Sequence, residues 1–443
     1  MSIRIEKAEL ALEREPLQSP FGFKGGYLSE LWQTLAMLRS SNGREAVGLG
    51  VQSVLWSDPN VFFAVPEQAA NGMMLDMTRH ALRLAVGRAF SAPPELLEQV
   101  VHETLEHGRA LTGLATLRET FALNALVPVD HAAWLLYAQE EQLANYDEMI
   151  PAEYRAALNY RNRELASVPV VSYGHSDADV TRMLDEGYFL LKFKLGADPD
   201  KDGSLDKMLE WDKQRLTDVH RLAVERETKY TDCGRVLYYL DLNGRYDTKE
   251  RVLRLLDHAD RIGMLERVVL VEEPFPEENK TVVDDLPVRM TADESVHNLA
   301  DAIERIELGY RAITLKPIAK TLSVALQVAK AAHDRSVPCF CADLTVNPWM
   351  VDWNKNLAAR LAPLPGLKVG LMETNGHQNY ANWETMRGYH PEGFASWTRP
   401  ENGVFRLDEA FYARSAGSFA RSAHYESVVQ TNPILNQRGG THI

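Results

Sequence analysis

The chain is poor in cysteine, in positive charge and in long apolar runs. Cys233, Cys339 and Cys341 are its 3 cysteines in 443 residues, which excludes a disulfide framework. Cys339 and Cys341 sit two apart in a strand-like run and share a face; with no second pair they read as small core fillers. A reducing, cytoplasmic compartment is the default expectation. Lys and Arg number 48 against 62 Asp and Glu, a net charge of -14 that argues against nucleic acid and anionic membrane surfaces as partners. No apolar stretch approaches the length that spans a bilayer. The opening Met-Ser-Ile-Arg-Ile-Glu-Lys alternates like a strand and has no signal-peptide core. Short repeats and low-complexity tracts are also missing.

What is present is ordinary for a globular protein: 45% hydrophobic and 25% charged residues. The length suits one large barrel with a smaller partner. The first part reads as strands followed by helices, an α+β unit over residues 1–127. Ile3 to Leu12 and Glu45 to Leu55 are its strand candidates. Ser19-Pro-Phe21-Gly-Phe23-Lys24-Gly-Gly26 between them has the composition of a mobile loop. Helices are expected from Pro66 to Ala89 and from Pro94 to Leu111.

From Pro128 the pattern changes. A helix from Asp130 to Asn145 leads into alternating strands and helices over residues 128–394. The strands are Val168–Tyr173, Phe189–Leu195, Val236–Asp241, Val268–Glu272, Val288–Asp293, Ala312–Lys316, Val337–Asp343 and Leu367–Glu373. Amphipathic segments such as Lys249–Gly263 and Leu299–Leu308 fill most gaps. Such a succession predicts a parallel β/α barrel. The rival, a doubly wound sheet, usually carries a glycine-rich phosphate turn after its first strand, and Ser172-Tyr173-Gly174-His175 is not one. The Asp-rich stretch Asp198-Pro-Asp200-Lys-Asp202-Gly203 lacks the closing Glu of a calcium loop and reads as a solvated insertion. Residues 395–443 carry turn signals and are expected to return to the N-terminal unit.

Charged residues close these strands, where a barrel aims side chains at one point. Asp241, Glu272 and Asp293 end three consecutive strands. Three carboxylates in a partly dry pocket repel one another unless a cation sits among them, and oxygen-only ligands favour Mg²⁺. Lys192 and Lys194 share a face of a strand otherwise made of Leu190, Leu191, Phe193 and Leu195. Buried together, they need carboxylates, and their repulsion is expected to lower a pKa toward that of a usable base. Lys316 ends the sixth strand, across the barrel from the second. A zinc hydrolase would need several strand-end histidines, and only His175 qualifies.

Lys192-x-Lys194, Asp241-x-Asn243, Glu272-Glu273-Pro, Ala-Asp293-Glu294-Ser and Lys316, each closing a strand, resemble the enolase superfamily. The likeness is greatest to its muconate-lactonizing and dipeptide-epimerase branch and covers most of the chain. It implies a modified (β/α)8 TIM barrel of the (β/α)7β type with an α+β capping domain. It implies Mg²⁺ held by Asp241, Glu272 and Asp293. It makes Lys194 and Lys316 acid/base groups on opposite faces of a small-molecule carboxylate, with Lys192 in support. Asn243 would contact substrate or the ligands, and Lys24 lies in the loop that closes over substrates in that family. The implied chemistry is removal of the proton α to a carboxylate, giving an enediolate. Racemisation or epimerisation comes first, acid-sugar dehydration second and cycloisomerisation third, with a non-catalytic ligand-binding barrel as the different class.

Three departures stand out. Lys316 is followed by Pro-Ile-Ala-Lys320-Thr where that branch usually has Gly-Gly. The seventh strand ends in Asp343, which with Glu373 of the eighth is expected to bind substrate or pair with a lysine. The insertion lengthens the second barrel loop. No His closes the seventh strand, as the mandelate-racemase branch would require; His377 follows the eighth and reads as a loop histidine. A homo-oligomer is common for such chains, although nothing in the sequence marks an interface.

Overall fold

The computed structural model of the chain describes residues 2–23 and 26–437. An antiparallel sheet comes first, from β1 (Ile3–Phe23), β2 (Gly26–Ser40), β3 (Glu45–Gln52) and β4 (Ala89–Phe90), in the order β3-β2-β1-β4. Of the expected loop, residues 19–23 and Gly26 are strand instead: Phe21 pairs with Leu28 and Gly22 with Tyr27. Glycines suggested a loop here, yet cross-strand pairing continues as far as Phe23 and Gly26. β2 has no counterpart among the expected strands. Leu31, Trp32, Leu35, Ala36 and Leu38 are buried along it, so period-two alternation is lost.

Helices Glu67–Ala85, Pro93–Thr112 and Glu119–Glu140 cover this sheet. The third begins well before the expected start at Asp130 and carries Pro128 inside it. Proline removes a backbone donor, which normally ends a helix. Here tertiary packing overrides that tendency. A Cβ on Gly48 would lie 2.2 Å from the Ala132 nitrogen, and one on Gly50 2.5 Å from Pro128 Cδ, so the helix rests directly on the backbone of β3.

The second sheet is parallel and runs through β5 (Glu164–Val168), β6 (Val170–Val171), β7 (Leu190–Lys194), β8 (Leu237–Asp241), β9 (Val268–Glu272), β10 (Met290–Ala292), β11 (Ala312–Leu315), β12 (Cys339–Cys341) and β13 (Gly370–Glu373). β5 pairs with β13 and β6 with β7, and only Pro169 separates β5 from β6. The Pro169 carbonyl accepts the Lys192 N–H at 3.2 Å, so one interrupted strand closes the ring. All eight expected barrel strands are present, each within a few residues of its expected limits. Helices follow most of them, but the β9–β10 crossover, residues 273–289, has none. Pro274, Pro276 and Pro287 account for that.

The tail first adds β14 (Val404–Arg406) antiparallel to β5. It then returns to the first sheet, where the Ile434 N–H donates to the Leu10 carbonyl and His424 pairs with Glu13 at 2.9 Å. Among the described residues no helix is long and apolar enough to cross a membrane.

Candidate active site

The ends of the barrel strands meet the antiparallel sheet and the short helix after β3 around a cleft. Lys192, Lys194, Asp293, Glu294, Lys316, Asp343 and Glu373 line its barrel side. Leu17, Leu28, Leu31, Leu55 and Trp56 form an apolar wall opposite. The long hairpin therefore does for the site what no motif could announce, since leucines on a strand read only as core.

Lys192 lies at the centre of the charges. Its Nζ is 3.0 Å from Asp241 Oδ2, 2.8 Å from Glu272 Oε2 and 2.9 Å from Glu373 Oε2. Burial opposes its charge, but Asp241, Glu272 and Glu373 outweigh burial and hold its pKa well above the ordinary lysine value. The expectation that the pair's repulsion lowers a pKa is thus corrected for Lys192: surrounding carboxylates dominate over Lys194. Lys194, less buried, reaches Asp241 Oδ2 at 2.5 Å. Burial also works against ionisation of Asp241, yet Lys192 and Lys194 keep its carboxyl below the usual range. For Glu272 burial prevails, reinforced by Asp293 and Glu294, and its pKa is raised.

Lys316 comes from β11, four strands from β7 either way round the ring. It pairs with Asp293. Its ammonium sits 4.4 Å from the centre of the Trp56 ring, a favourable cation–π distance. Burial opposes its charge, and Asp293 and Glu294 overcome that, so its pKa is raised. Lys320, one turn further, donates to the Asp293 carbonyl at 2.5 Å and faces the same ring at 5.3 Å. There burial wins and the pKa falls.

The backbone around these groups is held in uncommon conformations. Asn243 and Glu273, just past β8 and β9, and Thr321 and Thr345, in the segments that follow β11 and β12, have φ of 46°, 39°, 71° and 57°. Non-glycine residues hold such angles only where surroundings fix them. Glu273 shows how: its Oε1 accepts the Asp293 N–H at 2.5 Å, the Ser295 N–H at 3.0 Å and the Ser295 hydroxyl at 2.8 Å. It clamps the turn bearing Asp293 and Glu294, a role that the Glu-Glu-Pro motif alone does not reveal. Asn243 donates to Glu294 Oε1 at 3.1 Å. Asp343 accepts backbone N–H groups from Leu344 at 2.7 Å and Asn375 at 2.6 Å, and burial pushes its pKa up to about 6. Glu373 pairs with a lysine, Lys192. His175 takes the Ser172 N–H at 3.1 Å, and His377 lines a separate pocket with Trp383. Lys24 lies outside the described residues.

Oxygen atoms of Glu272, Asp293 and Glu294, all buried, lie within 4.8 Å of one another. Glu294 Oε2 has no hydrogen-bond donor. An all-oxygen set with an unsatisfied buried carboxylate oxygen fits a hard divalent cation.

This fold, a closed parallel barrel capped by a small α+β unit, is shared with solved members of the enolase superfamily. A mandelate racemase/muconate lactonizing protein from Herpetosiphon aurantiacus matches with TM-score 0.64 and 17% identity over 91% of this chain and 96% of that one. A dipeptide epimerase from Cytophaga hutchinsonii, complexed with Mg and D-Ala-L-Val, matches with TM-score 0.64 and 14% identity over 92% and 94%. An enolase-superfamily member from Listeria innocua matches with TM-score 0.62 and 16% identity over 97% of each chain. No family sequence model and no curated protein sequence matches the chain. At such identities the likeness establishes the fold.

Proposed function

We propose that this protein is a Mg²⁺-dependent enzyme that removes the proton α to a substrate carboxylate, and that it is a racemase or epimerase. The observation that carries this reading is the arrangement of the cleft. Lysines from opposed strands, Lys194 and Lys316, line one space that also holds converging carboxylates. Asp241, Glu272 and Asp293 are the residues that would hold the cation. When bound, it would supply Lewis-acid stabilisation of the negative charge that develops on the substrate carboxylate.

The chain's own residues do the rest. Lys194 accepts the α-proton on one face, and Lys316 returns a proton to the other, which inverts the centre. Trp56 and the cap leucines keep water from the reacting carbon. Lys192 keeps Asp241, Glu272 and Glu373 together. The fold of the C. hutchinsonii dipeptide epimerase supports epimerisation as the first choice.

The test is incubation with Mg²⁺ in D₂O against a panel of dipeptides and acid sugars, followed by mass spectrometry. α-Deuterium is expected in at least one acid, and Lys194→Met and Lys316→Met should each stop exchange from one epimer. Loss of water would indicate dehydration. Exchange with none of them, despite bound Mg²⁺, would refute the reading and favour a binding barrel.

A further inference from the structure

The turn that carries Lys316 is anchored from the N-terminal unit. After β11 the chain makes one helical turn, in which the Lys320 N–H donates to the Lys316 carbonyl at 2.8 Å. It then kinks at Thr321 into the helix Leu322–Asp334. Thr321 has φ 71° and ψ 153°. That region is essentially confined to glycine, and a β-branched residue stays there only where its surroundings fix it. The fixing group is Asp130, buried on the third helix of the N-terminal unit. Its Oδ2 accepts the Leu322 N–H at 2.9 Å and the Ser323 N–H at 3.3 Å, and its Oδ1 accepts the Ser323 hydroxyl. First-turn N–H groups of a helix lack partners within it, and a carboxylate is a strong acceptor for them. Thr321 itself takes the next one, from Val324, at 3.3 Å.

We propose that Asp130 is a positioning residue for Lys316: by fixing the kink at Thr321 it sets where the turn 316–320 stands, and so how the Lys316 ammonium enters the cleft. The proposal rests on the role given to Lys316 above. The anchor is itself firmly seated, because the third helix lies directly on the backbone of β3 at Gly48 and Gly50. The same unit holds the other end of the lysine through Trp56, whose ring centre is 4.4 Å from the ammonium. Lys194 is held independently. The Gly196 N–H, two residues on, donates to both oxygens of Asp212, at 3.0 and 2.9 Å. Loss of Asp130 therefore disturbs one lysine and spares the other.

The test compares wild type, Asp130→Ala, Asp130→Asn and Ser323→Ala as full chains. Acetylation of the metal-free protein by acetic anhydride, read lysine by lysine by peptide mass spectrometry, needs no substrate. Asp130→Ala should label Lys316 roughly fivefold faster or more, with Lys194 and the buried Lys355 within about twofold of wild type. Asp130→Asn keeps an oxygen for the Leu322 and Ser323 N–H groups and should restore most of the protection. Unchanged labelling of Lys316 would overturn the proposal, and so would an Asn variant no better than Ala. Should Asp130→Ala unfold and expose all three lysines, Ser323→Ala decides. A rise confined to Lys316 supports the proposal, and no rise or a shared one overturns it. In D₂O, Asp130→Ala should slow exchange about tenfold or more from the one epimer that Lys316→Met blocks, since small misplacements of a reacting group are costly. Equal slowing from both epimers would overturn the proposal. Absence of exchange in the wild type would instead refute the proposed function, while the labelling still decides the role of Asp130.

Discussion

Replacing His131 by Asn should remove much of the acid sensitivity of this protein. His131 is wholly buried between the third helix and β3, and its Nδ1 accepts the Leu49 N–H at 3.0 Å. Nδ1 also lies 3.3 Å from the Leu49 carbonyl, and Nε2 has no partner. Burial pushes its pKa from 6.5 down to about 4. The folded state thus refuses a proton that the unfolded chain accepts below pH 6.5. Stability associated with the neutral ring is complete above that pH and is lost as pH falls toward 4. Each tenfold change in proton affinity is worth about 1.4 kcal/mol, so the loss amounts to about 3 kcal/mol. Asn keeps an acceptor near Nδ1 and cannot titrate. Urea unfolding of both proteins between pH 7.5 and 4 measures the difference, and other titrating groups cancel in the comparison. The Asn variant should gain about 3 kcal/mol on the wild type across that range. Parallel curves would refute the assignment of the acid loss to His131.

The other expectations concern the cleft and the cap. Lys192→Met leaves Asp241, Glu272 and Glu373 without their shared ammonium, and loss of one partner of a buried ion pair typically costs about 3–5 kcal/mol. Melting of the metal-free variant should show this, with part of the loss recovered on adding Mn²⁺. Burial, Asp293 and Glu294 raise the pKa of Glu272, so cation binding near neutral pH should release protons. Calorimetry in buffers of different ionisation enthalpy reads the number directly, and a buffer-independent heat would contradict the expectation. Gly48→Ala should lower stability by about 1–3 kcal/mol, because its Cβ meets backbone atoms of Ala132 and Pro128 that cannot move cheaply.

The barrel was legible because its strands are short apolar runs closed by charge, and the helices between them are amphipathic. The same reading failed where tertiary contacts decide. β2 is buried along most of its length and therefore loses its alternation, and Pro128 stays helical because β3 supports that turn. The charged strand ends Lys192, Lys194, Asp241, Glu272, Asp293 and Lys316 do gather round one region, as their positions suggested. What sequence could not convey was direction. Nothing in Ala-Asp293-Glu294-Ser shows that both acids turn the same way, because that depends on Glu273 reaching across from the neighbouring strand. Trp56 and the cap leucines carried no chemical signature at all.

Charge balance ties these residues together. Asp241, Glu272, Asp293, Glu294, Asp343 and Glu373 are buried around the cleft, and they outnumber Lys192, Lys194, Lys316 and Lys320. A low-dielectric site does not keep unmatched carboxylates ionised, so Glu272 and Asp343 shift upward in pKa. A divalent cation would restore the balance without protonating any of them. Lys192 contacts Glu272 Oε2, an oxygen on one of the converging carboxylates, so in the metal-free protein this ammonium partly does the cation's electrostatic work. On the proposed function, lysine and cation would draw on the same carboxylate, and the stability of the barrel rim would be coupled to cation binding.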